Sequence, residues 1–200
     1  MKTYMQSIGT DFVVEEGHNS GDKDFTGGIL ACKDAGCDVV IGWTHAAEAA
    51  VIARQYVEMG MQNVPFLGCP TWGNGSFYDL VEEQYVDGTY IAGDFALTNA
   101  SPVASAYYEA YKTKFGKDAD AMSTYWYDGT MMALDAMDRA KELTREGVLE
   151  AIKTIGVERE LELTCGKVVM NGIDSVHQML IGKNKGKVFE VIDVVTEEVK

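Results

Sequence analysis

Apolar positions along the first half of the chain follow two periods in turn. Residues 38–42 and 64–68 are short continuous apolar runs, the pattern of strands covered on both faces. Between them Ala46, Ala49, Ala50, Ala53, Tyr56 and Val57 recur on one face, which predicts a helix over 46–59 stopped by Gly60. Residues 11–16 predict an earlier strand, and 25–35 a helix with Asp24 as its N-cap. A short helix near 76–83 and a strand over 88–95 complete this half. Strand, helix, strand, helix, strand implies right-handed crossovers, so the predicted class is α/β with a doubly wound parallel sheet. Ligands of such sheets sit at the carboxyl ends of the strands. Here those ends carry Trp43-Thr44-His45 and Cys69-Pro70-Thr71-Trp72-Gly73-Asn74.

The second half changes period. Ser101-Pro102 is an N-cap followed by proline at the first helical position. Val103, Tyr107, Tyr111 and Phe115 then form an apolar stripe that ends at Gly116. A second helix is predicted over 124–141, with Tyr127, Met131, Leu134 and Met137 at helical spacing. Thr144 caps a third, which Gly156 stops. Strands follow at 166–170, 176–182 and 187–194, with Asn184-Lys185-Gly186 as the turn between the last two. At the other end, Met1–Ile8 has the pattern of a helix with no strand before it, so the sequence reads as starting in mid-fold.

Composition narrows the function classes. No run of 18 apolar residues exists, so no membrane-spanning helix is predicted. The first residues lack the apolar core and cleavage site of an export signal. The protein is then either cytosolic or numbered from inside a longer precursor. A net charge of −14 repels nucleic-acid phosphate and anionic lipid. His18, His45 and His177 are scattered without metal-ligand spacing. Dinucleotide-binding, phosphate-loop and nucleophile-elbow patterns are absent, which predicts no enzyme, no cofactor and no metal. Asn74-Gly75-Ser76 matches a glycosylation sequon. Cys32, Cys37, Cys69 and Cys165 include no C-x-x-C pair and read as reduced thiols. The alternative is a Cys32–Cys37 bridge, although residues five apart on one helix point in different directions.

Several spaced pieces resemble the type I periplasmic (extracellular) solute-binding proteins of branched-chain amino-acid ABC transport, the Leu/Ile/Val-binding protein-like family. They are Asn19-Ser20-Gly21-Asp22-Lys23-Asp24-Phe25, Ala35-Gly36-Cys37-Asp38-Val39-Val40, and the helix ending in Arg54-Gln55. The family commonly shows N-x-G-D-x-D-F, A-G-x-D-V-V and R-Q there. Ala110 to Lys117, Tyr127-Asp128-Gly129 and Thr164 to Val168 are similar to its A-Y-x-x-x-[YF]-G-K, G-Y-D-A and [VF]-T-G-x-[IV].

The resemblance covers about residues 1–195 but only the later part of the family's fold. It implies that 1–100 is most of lobe 2 without its first strand, 101–160 a helical segment returning towards lobe 1, and 161–200 strands crossing back. It implies a small-molecule ligand, hinge closure, a membrane permease as partner, and a periplasmic, extracellular or lipid-anchored place for the full-length protein. A ligand-sensing domain of a signalling protein is the alternative with the same fold. Surfaces left open by an absent lobe predict a homodimer.

The predicted ligand contacts are Trp43, Thr44, His45, Thr71 and Trp72. Trp43 and Trp72 would supply apolar walls, Thr44 and Thr71 hydroxyls, and His45 a donor. Against this, Thr44 at the start of a helix also fits a cap, and Trp43 and Trp72 also fit a core. Tyr125, Trp126 and Tyr127 fit core or hinge packing better than a cleft. Cys69-Pro70-Thr71-Trp72 stands where the family's amino-acid binders often carry a carboxylate. The ligand class is therefore widened to amides, carboxylates and aromatic acids.

Overall fold

The structure, a computed structural model, describes residues 1–196. It forms two compact units, Met1–Tyr90 with Asn184–Lys187, and Ile91–Lys183 with the chain from Val188. Residues 197–200 of the expected last segment lie outside the described residues.

In the first unit the elements are α1 (Lys2–Ser7), α2 (Thr26–Asp34), β1 (Val40–Gly42), α3 (Ala46–Glu58), β2 (Phe66–Gly68) and α4 (Gly75–Tyr78). β1 and β2 pair in parallel, Val40 opposite Phe66 and Gly42 opposite Gly68. α3 is the crossover between them, as its apolar face predicts, and Ala49, Ala50, Ala53 and Tyr56 of that face are buried. Phe66, Trp72 and Phe77 stack in series, with ring centroids 4.3 and 5.1 Å apart. This stack needs glycine beneath it: a Cβ on Gly68 would lie 2.3 Å from Cγ of Trp72. Burial of these three large rings contributes about 2–3 kcal/mol for each.

Three expectations are corrected in this unit. Residues 11–16 form no strand, and the chain bends at Val13. A strand exists only with a ladder neighbour, and none of the described strands pairs with this segment, however apolar it is. Asp24 lies one residue before the helix N-cap, which is Phe25, and its carboxylate accepts from the N–H and hydroxyl of Thr26.

Asn184 is likewise not a turn residue. It is fully buried, its backbone N–H donates to the Thr89 carbonyl, and Gly88 N–H donates to its own carbonyl. Its side-chain amide donates to the Trp72 carbonyl (3.1 Å) and the Thr89 hydroxyl (2.8 Å), and accepts from the Tyr78 hydroxyl. Every polar atom has a partner, so the buried amide orders the segment at little net cost.

In the second unit β3 (Tyr90–Gly93) is followed by α5 (Pro102–Phe115), α6 (Ala121–Arg139) and α7 (Arg145–Lys153). Then come β4 (Glu162–Leu163), β5 (Gly166–Lys167), β6 (Val169–Asn171), β7 (Asp174–Val176), β8 (Met179–Lys185) and β9 (Val188–Val195). β3, β8 and β9 are neighbours in that order, while β4–β5 and β6–β7 are antiparallel hairpins. Each helix start is capped by its own side chain. Ser101 accepts from Ala104 N–H, Asp120 from Ser123 N–H, and Thr144 from Gly147 N–H. Ser123 answers Asp120 by accepting its N–H at 3.0 Å, which closes a capping box.

The predicted strand over 166–170 breaks at Val168, whose burial with Ile155, Leu163 and Met170 forms a small core. The predicted strand over 176–182 is divided between β7 and β8. The stripe of α6 also differs from expectation. Thr124, Asp128 and Ala136 are its buried face, whereas Met131, Leu134 and Met137 are exposed.

Candidate functional site

The carboxyl end of β1 leads through Trp43 and Thr44 into α3, whose N-cap is His45. The carboxyl end of β2 leads through Cys69 into a single 3-10 turn, Pro70–Gly73. Parallel pairing therefore brings the two predicted loops to the same edge of the sheet. Thr44 and Trp72 meet there: the indole Nε1–H donates to the Thr44 hydroxyl at 3.3 Å. Cys69 Sγ lies 3.4 Å from the Thr44 carbonyl and donates to it.

The five predicted contact residues separate by exposure. Trp43 is 71% exposed and His45 is also exposed, while Thr71 is half-buried. Thr44 is buried, and Trp72 is 1% exposed, enclosed by Phe66 and Phe77. In this structure Trp72 offers no ring surface to a solute; it holds the Thr44 side chain from behind. Thr44 does not cap α3, because the N-cap position falls on His45. Asn74 of the sequon is buried as the N-cap of α4 and accepts from Phe77 N–H and the Ser76 hydroxyl.

Trp43 and Thr44 also line a cleft of about 580 Å³ in the first unit, bordered by α2, β1 and residues 11–16. β1 turns one backbone edge to it. Val40 N–H donates to the Pro65 carbonyl and Gly42 accepts from Cys69 N–H, so both bond towards β2. In a parallel ladder the residue between them, Ile41, directs its N–H and C=O the other way.

Glu48, in the first turn of α3, is a buried carboxylate that the sequence reading missed. It accepts from Gly21 N–H at 2.7 Å and from the Ser20 hydroxyl. Backbone N–H donors, that of Gly21 foremost, hold its carboxyl below the usual glutamate range. The signal was present: Glu48 stands three residues after the N-cap, where a glutamate reaches back to helix-start donors. Here it also fastens the 19–25 loop.

Two polar clusters belong to the second unit. Asp128 accepts from Thr164 N–H (3.0 Å), the Thr164 hydroxyl (2.7 Å) and Cys165 N–H (3.1 Å). It thus caps the β4–β5 turn from α6, not a helix end. Burial, with the nearby Asp128 carboxylate, pushes the Cys165 thiol up to about 12. In the other cluster the Tyr125 hydroxyl donates to Asp94 at 2.6 Å, and His177 Nε2 stands 3.8 Å from the second Asp94 oxygen. His177 Nδ1 is 2.9 Å from the Gln178 carbonyl. Asp94, Tyr125 and His177 come from three distant segments, which no local motif would have joined.

Among the described residues no group of three or more His, Cys, Asp or Glu is placed to hold a metal ion, and no helix is long and apolar enough to cross a membrane.

The family described as "Periplasmic binding protein" matches residues 1–181. The chain belongs to that family. Among curated relatives, "Leu/Ile/Val-binding protein homolog 7" of Brucella abortus (strain 2308) is 25% identical over 166 residues, 78% of this chain and 41% of that protein. "Leu/Ile/Val-binding protein homolog 8" of the same strain is 23% identical over 161 residues, 76% of this chain and 39% of that protein. The chain thus spans well under half the length of these relatives.

Solved structures share the periplasmic binding protein fold. Leucine binding protein LivK from Thermotoga maritima MSB8 superposes with a TM-score of 0.83 at 22% identity, over 97% of this chain and 54% of that one. LivJ from Streptococcus pneumoniae, solved with isoleucine, gives 0.80 at 20% identity over 98% and 55%. A solute binding protein of an ABC transporter from Rhodopseudomonas palustris BisB5, solved with 3,4-dihydroxy benzoic acid, gives 0.80 at 18% over the same shares. The α/β class and the resemblance read from residues 19–25, 35–40 and 164–168 are thereby established for this binding-protein chain.

Proposed function

We propose that this chain forms part of a solute-binding protein that presents branched-chain amino acids or a related small carboxylate, amide or aromatic acid to an ABC permease. The observation that carries this is the pairing at the strand ends of an exposed indole, Trp43, with a fixed hydroxyl, Thr44, at the start of a thirteen-residue helix inside a periplasmic binding protein chain. Trp43 presents an apolar face, Thr44, His45 and Thr71 present polar groups, and Trp72 positions Thr44. The N-terminus of α3 favours negative charge. Isoleucine and 3,4-dihydroxy benzoic acid, bound by two of the similar structures, share a carboxylate. A carboxylate end near α3 and an apolar body against Trp43 would suit both.

In this proposal the complete protein works outside the cytoplasm by closing its two lobes around the ligand, and it performs no chemistry on it. The charge of −14 repels nucleic-acid phosphate, which disfavours nucleic acid as a partner. Contacts from one lobe alone bind weakly, because each lobe supplies only part of the contact surface.

Titration of this chain with isoleucine, leucine and benzoate, followed by tryptophan fluorescence, tests the proposal. Saturable binding is expected, and Trp43→Ala should weaken it about tenfold, about 1.4 kcal/mol. Binding that is indifferent to Trp43→Ala, or absent for all three solutes at high millimolar concentration, would refute the assignment of this edge.

A further inference from the structure

Cys32 and Cys37 stand on either side of the turn that ends α2. α2 ends at Asp34, and Gly36 adopts the left-handed conformation, with φ of 67°. The chain therefore folds back on the last helical turn. Cys37 N–H donates to the Cys32 carbonyl at 3.2 Å, and Gly36 N–H donates to the Lys33 carbonyl at 3.1 Å. This pair of bonds is the Schellman arrangement, which sets the side chain two residues past the helix cap against the side chain three residues before it. Those two positions are Cys37 and Cys32. The expectation that they diverge assumed one continuous helix, and the turn at Gly36 removes that assumption.

The surroundings agree with the backbone. Burial raises the Cys32 thiol, and the neighbouring Cys37 thiol adds to the effect. Both cysteines are part-exposed and both line the cleft of about 580 Å³ in the first unit, so a small reagent reaches them. Cys69 differs: it is buried, and its Sγ is engaged with the Thr44 carbonyl.

We propose that Cys32 and Cys37 are a dithiol site that closes to a reversible disulfide across the C-terminal turn of α2. The oxidant is a low-molecular-weight disulfide. One cysteine thiolate attacks a sulfur of that disulfide, forms a mixed disulfide and expels one small thiol. The second cysteine, as thiolate, attacks the protein sulfur of the mixed disulfide and expels the second small thiol. Two protein thiols and one small disulfide thus become one protein disulfide and two small thiols, with both cysteine protons leaving to solvent or to those thiols. The closed bridge pins residues 33–36, where the chain leaves α2 for β1, and so fixes one wall of the cleft. Compartments outside the cytoplasm favour the closed form.

Peptide mapping tests the proposal without any substitution. Trypsin cuts after Lys23, Lys33 and Arg54, so Cys32 falls in peptide 24–33 and Cys37 in peptide 34–54. The protein is equilibrated in mixtures of reduced and oxidised glutathione, quenched in acid, alkylated after unfolding and digested. A linked 24–33/34–54 pair that disappears with excess reduced glutathione is expected, with Cys69 and Cys165 alkylated. The link should form at a glutathione ratio about tenfold less oxidising in the folded protein than in urea, a difference of about 30 mV. Gly36→Val, which opposes the left-handed turn, should shrink that gap, whereas Cys37→Ser should leave Cys32 as a glutathione adduct. Three results would overturn the site: alkylation of both cysteines at every ratio, a link that uses Cys69 or Cys165, or equal linkage in urea and in the folded protein.

Discussion

Replacement of Trp72 by alanine is expected to destabilise the protein by about 3–5 kcal/mol. The indole is 1% exposed and sits between Phe66 and Phe77, so its removal leaves a cavity that two rigid rings cannot close. Gly68 packs directly against the indole and adds no side chain to refill the space. The same substitution also frees the Thr44 hydroxyl from its donor. Trp72→Phe should cost about 1–2 kcal/mol, because a ring remains and the indole N–H contact with Thr44 is lost. Urea denaturation followed by circular dichroism reads both. A midpoint unchanged by Trp72→Ala would show that the stack contributes little to folding of the first unit.

Asp128→Ala is expected to cost about 3 kcal/mol, through a different cause. Three donors, two of them backbone N–H groups, converge on this one carboxylate. Truncation leaves buried donors unsatisfied, and bonds to a charged acceptor are the stronger kind. Asp128→Asn keeps one acceptor oxygen and should recover part of the loss. Limited proteolysis supplies a local readout, since the β4–β5 turn at Thr164–Cys165 is what Asp128 fastens. Thermal melting should fall for both variants, more for alanine. Equal losses for alanine and asparagine would mean that packing, not hydrogen bonding, sets the role of Asp128.

These two residues show what was and was not legible in the sequence. Most of the helices were, because their signals are local, although the one expected near 76–83 is only Gly75–Tyr78. The apolar face of α3, the Ser101-Pro102 start of α5 and the Thr144 cap of α7 each stand within a few residues of the structure they specify. The parallel pairing of β1 and β2 followed from a crossover of helical period between two apolar runs. Strands fared worse where the partner decides. Residues 11–16 have the composition of a strand and no ladder neighbour among the described strands. Residues 166–170 are apolar enough for one strand but bend at Val168 to bury it with Ile155.

The candidate site was legible as a place more than as a set of roles. The carboxyl ends of β1 and β2 could be named from topology alone. That Trp72 faces inward and Trp43 outward could not, because both follow an apolar strand and differ only in what the fold sets over them. Asn184 shows the same limit. A polar residue before Lys185-Gly186 reads as a turn, and only the tertiary structure puts Trp72, Tyr78 and Thr89 around its amide. Cys32 and Cys37 are free thiols, as their reading as reduced thiols expected, but helical spacing does not show that a single left-handed glycine turns Cys37 back on the last turn of α2.

The alternation along β1 has a kinetic meaning for single amides. The Val40 N–H is held by the Pro65 carbonyl, and that bond must open before the proton can leave. The Ile41 N–H points away from β2 and has no such gate. In heavy water, proton exchange at Ile41 should therefore run far ahead of exchange at its neighbour Val40, and residue-resolved spectra would time both. Comparable protection at the two positions would mean that something covers the free edge of β1 in solution. A three-residue strand would then carry its own reporter of whether that edge is occupied.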